Sequence, residues 1–234
     1  MQYDDWFDVV RLVIAVKQGR RQCRIPVVDT NGQSIGRLEP ISVQHLGDHE
    51  LIRQFVRWRN QNLSGNLDQR PVTDSGTAKW LSDVVTNPTR IAFLMYAGDK
   101  LIGRCGHVQM RPWQLLSDGL VRGERGGGMR FMYYAQVACY SWTFRVLQIE
   151  TVHATVLSTN EMAQENARSL GFDMNPIRSS PIYQKASAAG NLLEEHGLPS
   201  ELVSDLTLDY YQLDSTSFFR KLEGTPGLAS ASDS

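Results

Sequence analysis

Three consecutive glycines, Gly126, Gly127 and Gly128, stand directly before an apolar run in the stretch VRGERGGGMRFMYYA, Val121 to Ala135. A glycine-rich entry into a helix leaves backbone N–H groups free at the positive end of the helix dipole, and the missing Cβ atoms let a phosphate come close. Arg122 and Arg125 could add charge-assisted donors. A plain flexible turn is the other reading of the same residues. Two familiar phosphate loops fail on spelling. A Walker A loop needs Gly-Lys-Ser/Thr where Gly128 is followed by Met129 and Arg130, and a GxGxxG fingerprint counted from Gly126 ends on Phe131. A second candidate is His107 in CGHVQM, where strand alternation sets it on one face with Cys105 and Gln109. There it is a base, a substrate ligand, or a packed sheet histidine. His153 in TVHATV reads first as a core histidine. The third candidate is VRWRNQN, in which Arg57, Arg59, Asn60 and Asn62 form either a donor-rich cluster for phosphate or sugar hydroxyls or a solvated helix face below Trp58.

These groups need a scaffold, and 234 residues with 41% hydrophobic and 21% charged content suit one globular domain with extensions. A net charge of −1 argues against a broad nucleic-acid surface. Cys23, Cys105 and Cys139 lack CxxC spacing, so neither a disulfide framework nor a metal site is expected. The N-terminal VVRLVIAV is too short and too interrupted for a membrane span or signal peptide, so a cytoplasmic protein without membrane attachment is expected. Its β-branched residues, with IPVV and the Asn31-Gly32 turn, read as short strands around a hairpin, a β extension over residues 1–35. HELIRQFVRWRNQNL and the run from Thr73-Asp74 to Asn87-Pro88 read as helices; RIAFLMYAGDKLIGRCGHVQM reads as a hairpin turning at Gly98-Asp99. A helix follows the glycines from about Met129 to Arg145, with Phe131, Ala135, Ala138 and Trp142 on one face. ETVHATVLS is a strand, Asn160 caps a helix that Gly171 ends, a strand lies near Ile182, and LDYYQLD is the last strand. Residues 220–234 read as a disordered tail.

The order of these elements, with GLVRGERGGGMRFMYYA at a strand-to-helix junction and STNEMAQENARSLGF downstream, resembles the GNAT superfamily of acyl-CoA N-acyltransferases. The family's loop is Arg/Gln-x-x-Gly-x-Gly/Ala; Arg125 and Gly128 match it, and Arg130 replaces its small last residue. Asn160 and Gly171-Phe172 match the family's second motif, while Ala163 and Ala167 stand where many members carry Ser and Tyr. The resemblance spans roughly residues 36–213. It implies a mixed α/β domain over 36–219: a mostly antiparallel sheet of about seven strands with splayed middle strands and helices on both faces. It also implies that acetyl-CoA binds with its pantetheine arm along the backbone of Leu120, Val121 and Arg122. Arg125, Gly126, Gly127, Gly128 and Met129 would hold the pyrophosphate, and Asn160 would touch the arm.

VRWRNQN and LSDGLVRGE are further similar to stretches of bacterial N-acetyltransferases that act on nucleotide-linked amino sugars. That likeness implies a small-molecule acceptor held by Arg57, Arg59, Asn60 and Asn62, with direct amine attack on the thioester in a ternary complex. Asp118 sits where many members carry a carboxylate acting through water, or else serves a turn. With Ala167 at the tyrosine position, water, Tyr210, Tyr211 or Ser158 would return the proton, or no acid is needed. A peptide N-terminal acetyltransferase and a degenerate acyl-CoA-binding protein are the rival readings, and a homodimer stays open.

Overall fold

The order of elements in the computed structural model explains why the chain needs helices on two faces. The structure describes residues 5–63, 70–184 and 201–223. In chain order these are α1 (Trp6–Lys17), β1 (Ile25–Val28), β2 (Ser34–Pro40), α2 (His49–Gln61), α3 (Asp74–Thr86), β3 (Ile91–Ala97), β4 (Lys100–Arg111) and β5 (Gln114–Arg122). There follow α4 (Phe131–Val146), β6 (Thr151–Leu157), α5 (Glu161–Leu170), β7 (Asp173–Gln184), β8 (Glu201–Asp214) and α6 (Ser215–Glu223). The eight strands form one sheet in the order β1-β2-β3-β4-β5-β6-β8-β7. Every neighbouring pair is antiparallel except β5 and β6, which are joined through α4 and run parallel.

Alternation along β3 divides the interior. Ile91, Phe93 and Met95 enter a core shared with α1, α4, α5 and α6, while Ala92 and Leu94 face the opposite core with Phe55 and Trp58 of α2 and Leu81 and Val84 of α3. The mixed α/β architecture with a mostly antiparallel sheet is as expected, with eight strands rather than about seven. The hairpin turn is also as expected: Gly98 has φ +59 between β3 and β4. No described helix is long and apolar enough to cross a membrane.

The N-terminal reading is corrected. VVRLVIAV forms the helix α1, not strands. Asp5 caps it, its side chain accepting a hydrogen bond from Phe7 N at 3.1 Å, and Val9, Leu12, Val13 and Val16 recur at helical spacing on the buried face. The high β propensity of this run gives way to burial against α4 and β1. β1 and β2 then form the hairpin around Asn31-Gly32, with Gly32 at φ +76, in the same sheet as the rest. The helix after the glycines begins at Phe131. The strand foreseen near Ile182 is the end of β7, and LDYYQLD is the end of β8. Residues 185–200 and most of the tail lie outside the described residues, while α6 extends to Glu223.

Lys17 at the end of α1 is buried. Its Nζ donates to the carbonyls of Val84 and Arg90 at 3.0 Å each and also to Asn87 O. These carbonyls lie at the end of α3 and in the loop to β3, so one ammonium satisfies acceptors that helix geometry leaves open. Burial pulls Lys17 down to about 8, which still leaves three donors at neutral pH. Lys17→Met strands these carbonyls at roughly 1–3 kcal/mol for each buried one. A melting temperature lower by about 6–12 °C is expected for a total near 3 kcal/mol; scanning calorimetry of the variant measures it, and an unchanged midpoint contradicts this role.

Candidate active site

The parallel pairing of β5 with β6 is short. It joins Gln114, Leu115, Leu116 and Ser117 to Thr151, Val152, His153 and Ala154, and beyond it the two strands share no register. On the other edge of β5 the ladder to β4 slips: Arg104 faces Val121 and Gly106 faces Asp118, so Gly119 and Leu120 together stand opposite Cys105. This is a β-bulge, and Gly119 takes φ +66 in it, a conformation that favours glycine. Where β5 and β6 part, a cleft of about 500 Å³ opens, walled by Asp118 to Val121 and by Ala154 to Leu157. It shares Leu120, Val121, Asn160 and Ala163 with a groove of about 760 Å³ that runs between the start of α4 and α5.

The groove side carries the glycine junction. Gly127 and Gly128 have φ +69 and +81, and a Cβ on Gly128 would point into open space. Gly123 earlier in the loop is needed for packing, since a Cβ there would collide with the Trp58 ring. Arg122 does not reach outward as its charge suggested. Its Nη2 donates to Gly126 O at 3.1 Å and lies 3.5 Å from Gly128 O, bracing the loop from its carbonyl side. Lys100 Nζ does the same at Arg125 O, 3.0 Å away. With the carbonyls held from one side, the amides at the start of α4 stay available on the other, beside exposed Met129. Arg130 precedes the helix with φ −101 and makes no side-chain cap bond. Across the groove, Asn160 Oδ1 accepts from Ala163 N at 3.0 Å and caps α5; Gly171 closes that helix at φ +94. The open parallel edge, the bare glycine backbone and the helix start fit the arm and pyrophosphate of a coenzyme A thioester.

The other expected residues separate. The VRWRNQN cluster is not one site: Arg59 and Asn62 line the groove, but Arg57 Nη2 donates to Glu124 Oε1 at 2.5 Å. Trp58 Nε1 joins the same carboxylate at 3.1 Å, and together they hold Glu124 below the usual carboxylate range. Asn60 is used structurally, exchanging hydrogen bonds with the backbone of Val72 at 2.8 and 3.1 Å. One turn of helix points successive residues to different sides, which spacing alone could have told.

His107 lies inside the sheet–helix core, not in the cleft. It is 1% exposed, Nε2 sits 2.8 Å from Thr143 Oγ1, and its ring stacks on Tyr140 at 5.9 Å. Burial pulls it down to about 3, so it is neutral there. Gln109 does not share its face, because a register shift after Val108 and φ +50 at Gln109 break the alternation. His153 is half-buried with its pKa lowered by burial. Asp118, by contrast, lines the cleft, and Arg90 Nη2 donates to its Oδ2 at 3.3 Å; Arg90 also pairs with Asp83.

Two cleft residues carry no motif. Tyr140 of α4 shares a hydrogen bond of 2.9 Å with Ser117 Oγ at the last paired position of β5. It follows Gln136 by one turn on the same cleft-lining face, a spacing visible in the sequence, and burial raises its phenol well above the ordinary value. Ala167 lines the same cleft. Tyr211 and Ser158 do not; Tyr211 donates to Asp209 and Ser158 accepts from Thr207 N. The second residue is Arg104, whose guanidinium lies 4.4 Å from the Trp80 ring centre and which burial lowers to about 10.

Comparison with known proteins agrees with this geometry. A family profile described as an acetyltransferase (GNAT) domain matches residues 37–173, more than half of the chain. No curated protein matches. Among solved structures, a GCN5-related N-acetyltransferase from Brucella melitensis is similar at 17% identity and TM-score 0.56, over 92% of this chain and 88% of that one. A ribosomal L7/L12 alpha-N-protein acetyltransferase in complex with coenzyme A is similar at 12% identity and TM-score 0.58, over 82% and 98%. A ribosomal-protein-S5-alanine acetyltransferase from Vibrio fischeri gives 14% and 0.57, over 80% and 96%. The short parallel pairing, the bulge at Gly119, the glycine junction before α4 and the matched profile lead to one conclusion: the chain belongs to the GNAT family and is an acetyl-CoA-dependent N-acetyltransferase.

Proposed function

We propose that the protein acetylates the amine of a sugar carried on a nucleotide, with the acceptor in the cleft between α2, α3 and β5 and the acyl donor in the groove along α4 and α5. The observation that carries this reading is the charge of the acceptor side. Among the described residues lining the cleft, three arginines, Arg59, Arg90 and Arg104, stand against one carboxylate, Asp118. A phosphate-bearing acceptor suits such walls, whereas a cationic peptide N-terminus calls for an acidic groove. The ribosomal-protein acetyltransferases among the similar structures keep the peptide reading as the one to test against.

Acetyl-CoA supplies a thioester whose thiol, of ordinary pKa about 8.5, leaves readily. The residues of this chain then have modest tasks. Leu120, Val121 and the bulge offer backbone groups that orient the arm and polarise the acyl oxygen. Gly126, Gly127 and Gly128, with Arg125 and Met129 flanking them, hold the pyrophosphate over the start of α4, and Asn160 borders the arm. Asp118, oriented by Arg90, takes the amine proton through water. The Tyr140–Ser117 hydroxyl pair stands in for the hydroxyl that Ala167 lacks. Arg59, which borders both the cleft and the groove, reaches the nucleotide portion where the two spaces meet, with Asn62 beside it.

Acetyl-CoA with a panel of UDP-linked amino sugars should release free CoA, while short peptides should not; turnover on peptides alone overturns the reading. Gly128→Val, which forces a β-branched residue to φ +81 and covers the phosphate approach, should raise KM for acetyl-CoA at least tenfold, and an unchanged KM removes the loop from the site. Asp118→Asn should lower kcat about a hundredfold or more with KM for acetyl-CoA little changed, read in steady-state kinetics. His107→Gln should leave kcat within a few fold. Its effect belongs to stability. The folded value near 3 lies below the ordinary 6.5, so the unfolded chain binds more protons between them and stability falls as pH drops below 6.5. The loss amounts to several kcal/mol by pH 3, about 5 at most, and denaturant titrations from pH 7 to 4 should fall less steeply for the variant.

A further inference from the structure

Arg104 differs from the other two cleft arginines in how it is held. It sits in the middle of β4 with its side chain sunk on the α2–α3 side of the sheet, its guanidinium 4.4 Å from the Trp80 ring centre and 5.7 Å from that of Phe55. Those aromatic walls hold it by cation–π attraction. It lines the cleft, and it donates no hydrogen bond to any described residue. The bulge is shaped around it: a Cβ on Gly119 would collide with Arg104 Nη1, so the residue that adopts φ +66 most readily also leaves the guanidinium its place. The charges that face it are Asp118, Arg59 and Arg90. Asp118 is hydrogen-bonded by Arg90, so it is a shared and not a dedicated counter-charge.

A desolvated guanidinium holding five donors, with two like charges beside it, is costly unless an acceptor arrives. The acceptors that match its fork are planar or tetrahedral oxyanions, which it binds bidentately. We propose that Arg104 is the anion-binding residue of the acceptor cleft, taking a carboxylate or a phosphate that the acceptor carries within a few bonds of its reacting amine. The closeness follows from the bulge: Arg104 lies against Gly119, and the neighbouring Asp118 serves the amine. This inference rests on the reading of the cleft as the acceptor side. It adds that the anion is recognised beside the reacting group as well as at the nucleotide end near Arg59 and Asn62.

The test uses the full chain saturated with CoA, so that the pyrophosphate site is filled, and titrates acceptor pairs that differ by one anionic group. Glucosamine against glucosamine 1-phosphate, and against UDP-glucosamine, tests phosphate; alaninamide against alanine tests carboxylate. Calorimetry should show at least tenfold tighter binding for the anionic member of one set, and the set that responds identifies the anion. Arg104→Gln should abolish that preference while CoA affinity and the thermal midpoint stay as in the parent, and Arg104→Lys should restore part of it. If the parent binds anionic and neutral members equally, or if Arg104→Gln weakens both members alike, Arg104 is only a packed cation on Trp80 and the proposal falls. The parent comparison needs no variant and so does not depend on how Arg104→Gln folds. Anion binding that depends on Arg104 without acetylation of any amine would sink the amino-sugar reading and leave this one standing; turnover of amino sugars with no anion preference would do the reverse.

Discussion

The separation of two parallel strands governs the rest of this molecule. β5 and β6 hold each other for four residue pairs and then part, although a sheet ordinarily gains by continuing its ladder. Their outer neighbours make the parting tolerable. β6 stays paired with β8 from Thr151 to Leu157, and β5 returns to β4 after the bulge, so each strand loses partners on its inner edge only. The inner edges then present backbone donors and acceptors to a cleft, a place where an extended ligand can pair as a strand would. The crossover through α4 follows from the parallel direction, and it brings a helix N-terminus to the groove that adjoins that cleft.

Charge is distributed around this opening with a consistent logic. On the groove side, Arg122 and Lys100 are turned toward loop carbonyls, which steadies the glycine junction from that side. On the cleft side, Arg90 is shared between Asp83 and Asp118, while Arg104 is held by aromatic faces. Guanidinium groups do both jobs because their forked, always charged geometry tolerates burial better than an ammonium. The buried ammonium of Lys17 is the exception, and it is surrounded by three carbonyls. His107 follows the opposite route, entering the core as a neutral ring beside Thr143 and Tyr140.

Local rules were readable from the chain alone. The Gly98 turn, the Asn31-Gly32 hairpin, the Asn160 cap with Gly171 closing the same helix, and the glycine junction before α4 all appear where spelling put them. Each depends on a backbone preference or a side-chain-to-backbone bond within a few residues, so no distant contact was required to read them. The family and the mixed, mostly antiparallel sheet followed from the order of those signals.

Tertiary structure decided what depends on burial and register. VVRLVIAV became a helix because its apolar face meets α4 and β1, a gain larger than the strand preference of valine and isoleucine. The slip between β4 and β5 placed Asp118 at the cleft, and the alternation that would have aligned His107 with Gln109 broke at a second one. The helical turn of α2 separated Arg59 and Asn62 from Arg57 and Asn60. Arg104 and Tyr140 carry no motif, and they reach the cleft only because long-range packing of β4, β5, α3 and α4 sets them there. Sequence alone thus determined the glycine junction and the element that follows it; the folded sheet decided which side chains line the cleft, since a one-residue slip in pairing reverses the face of every side chain beyond it.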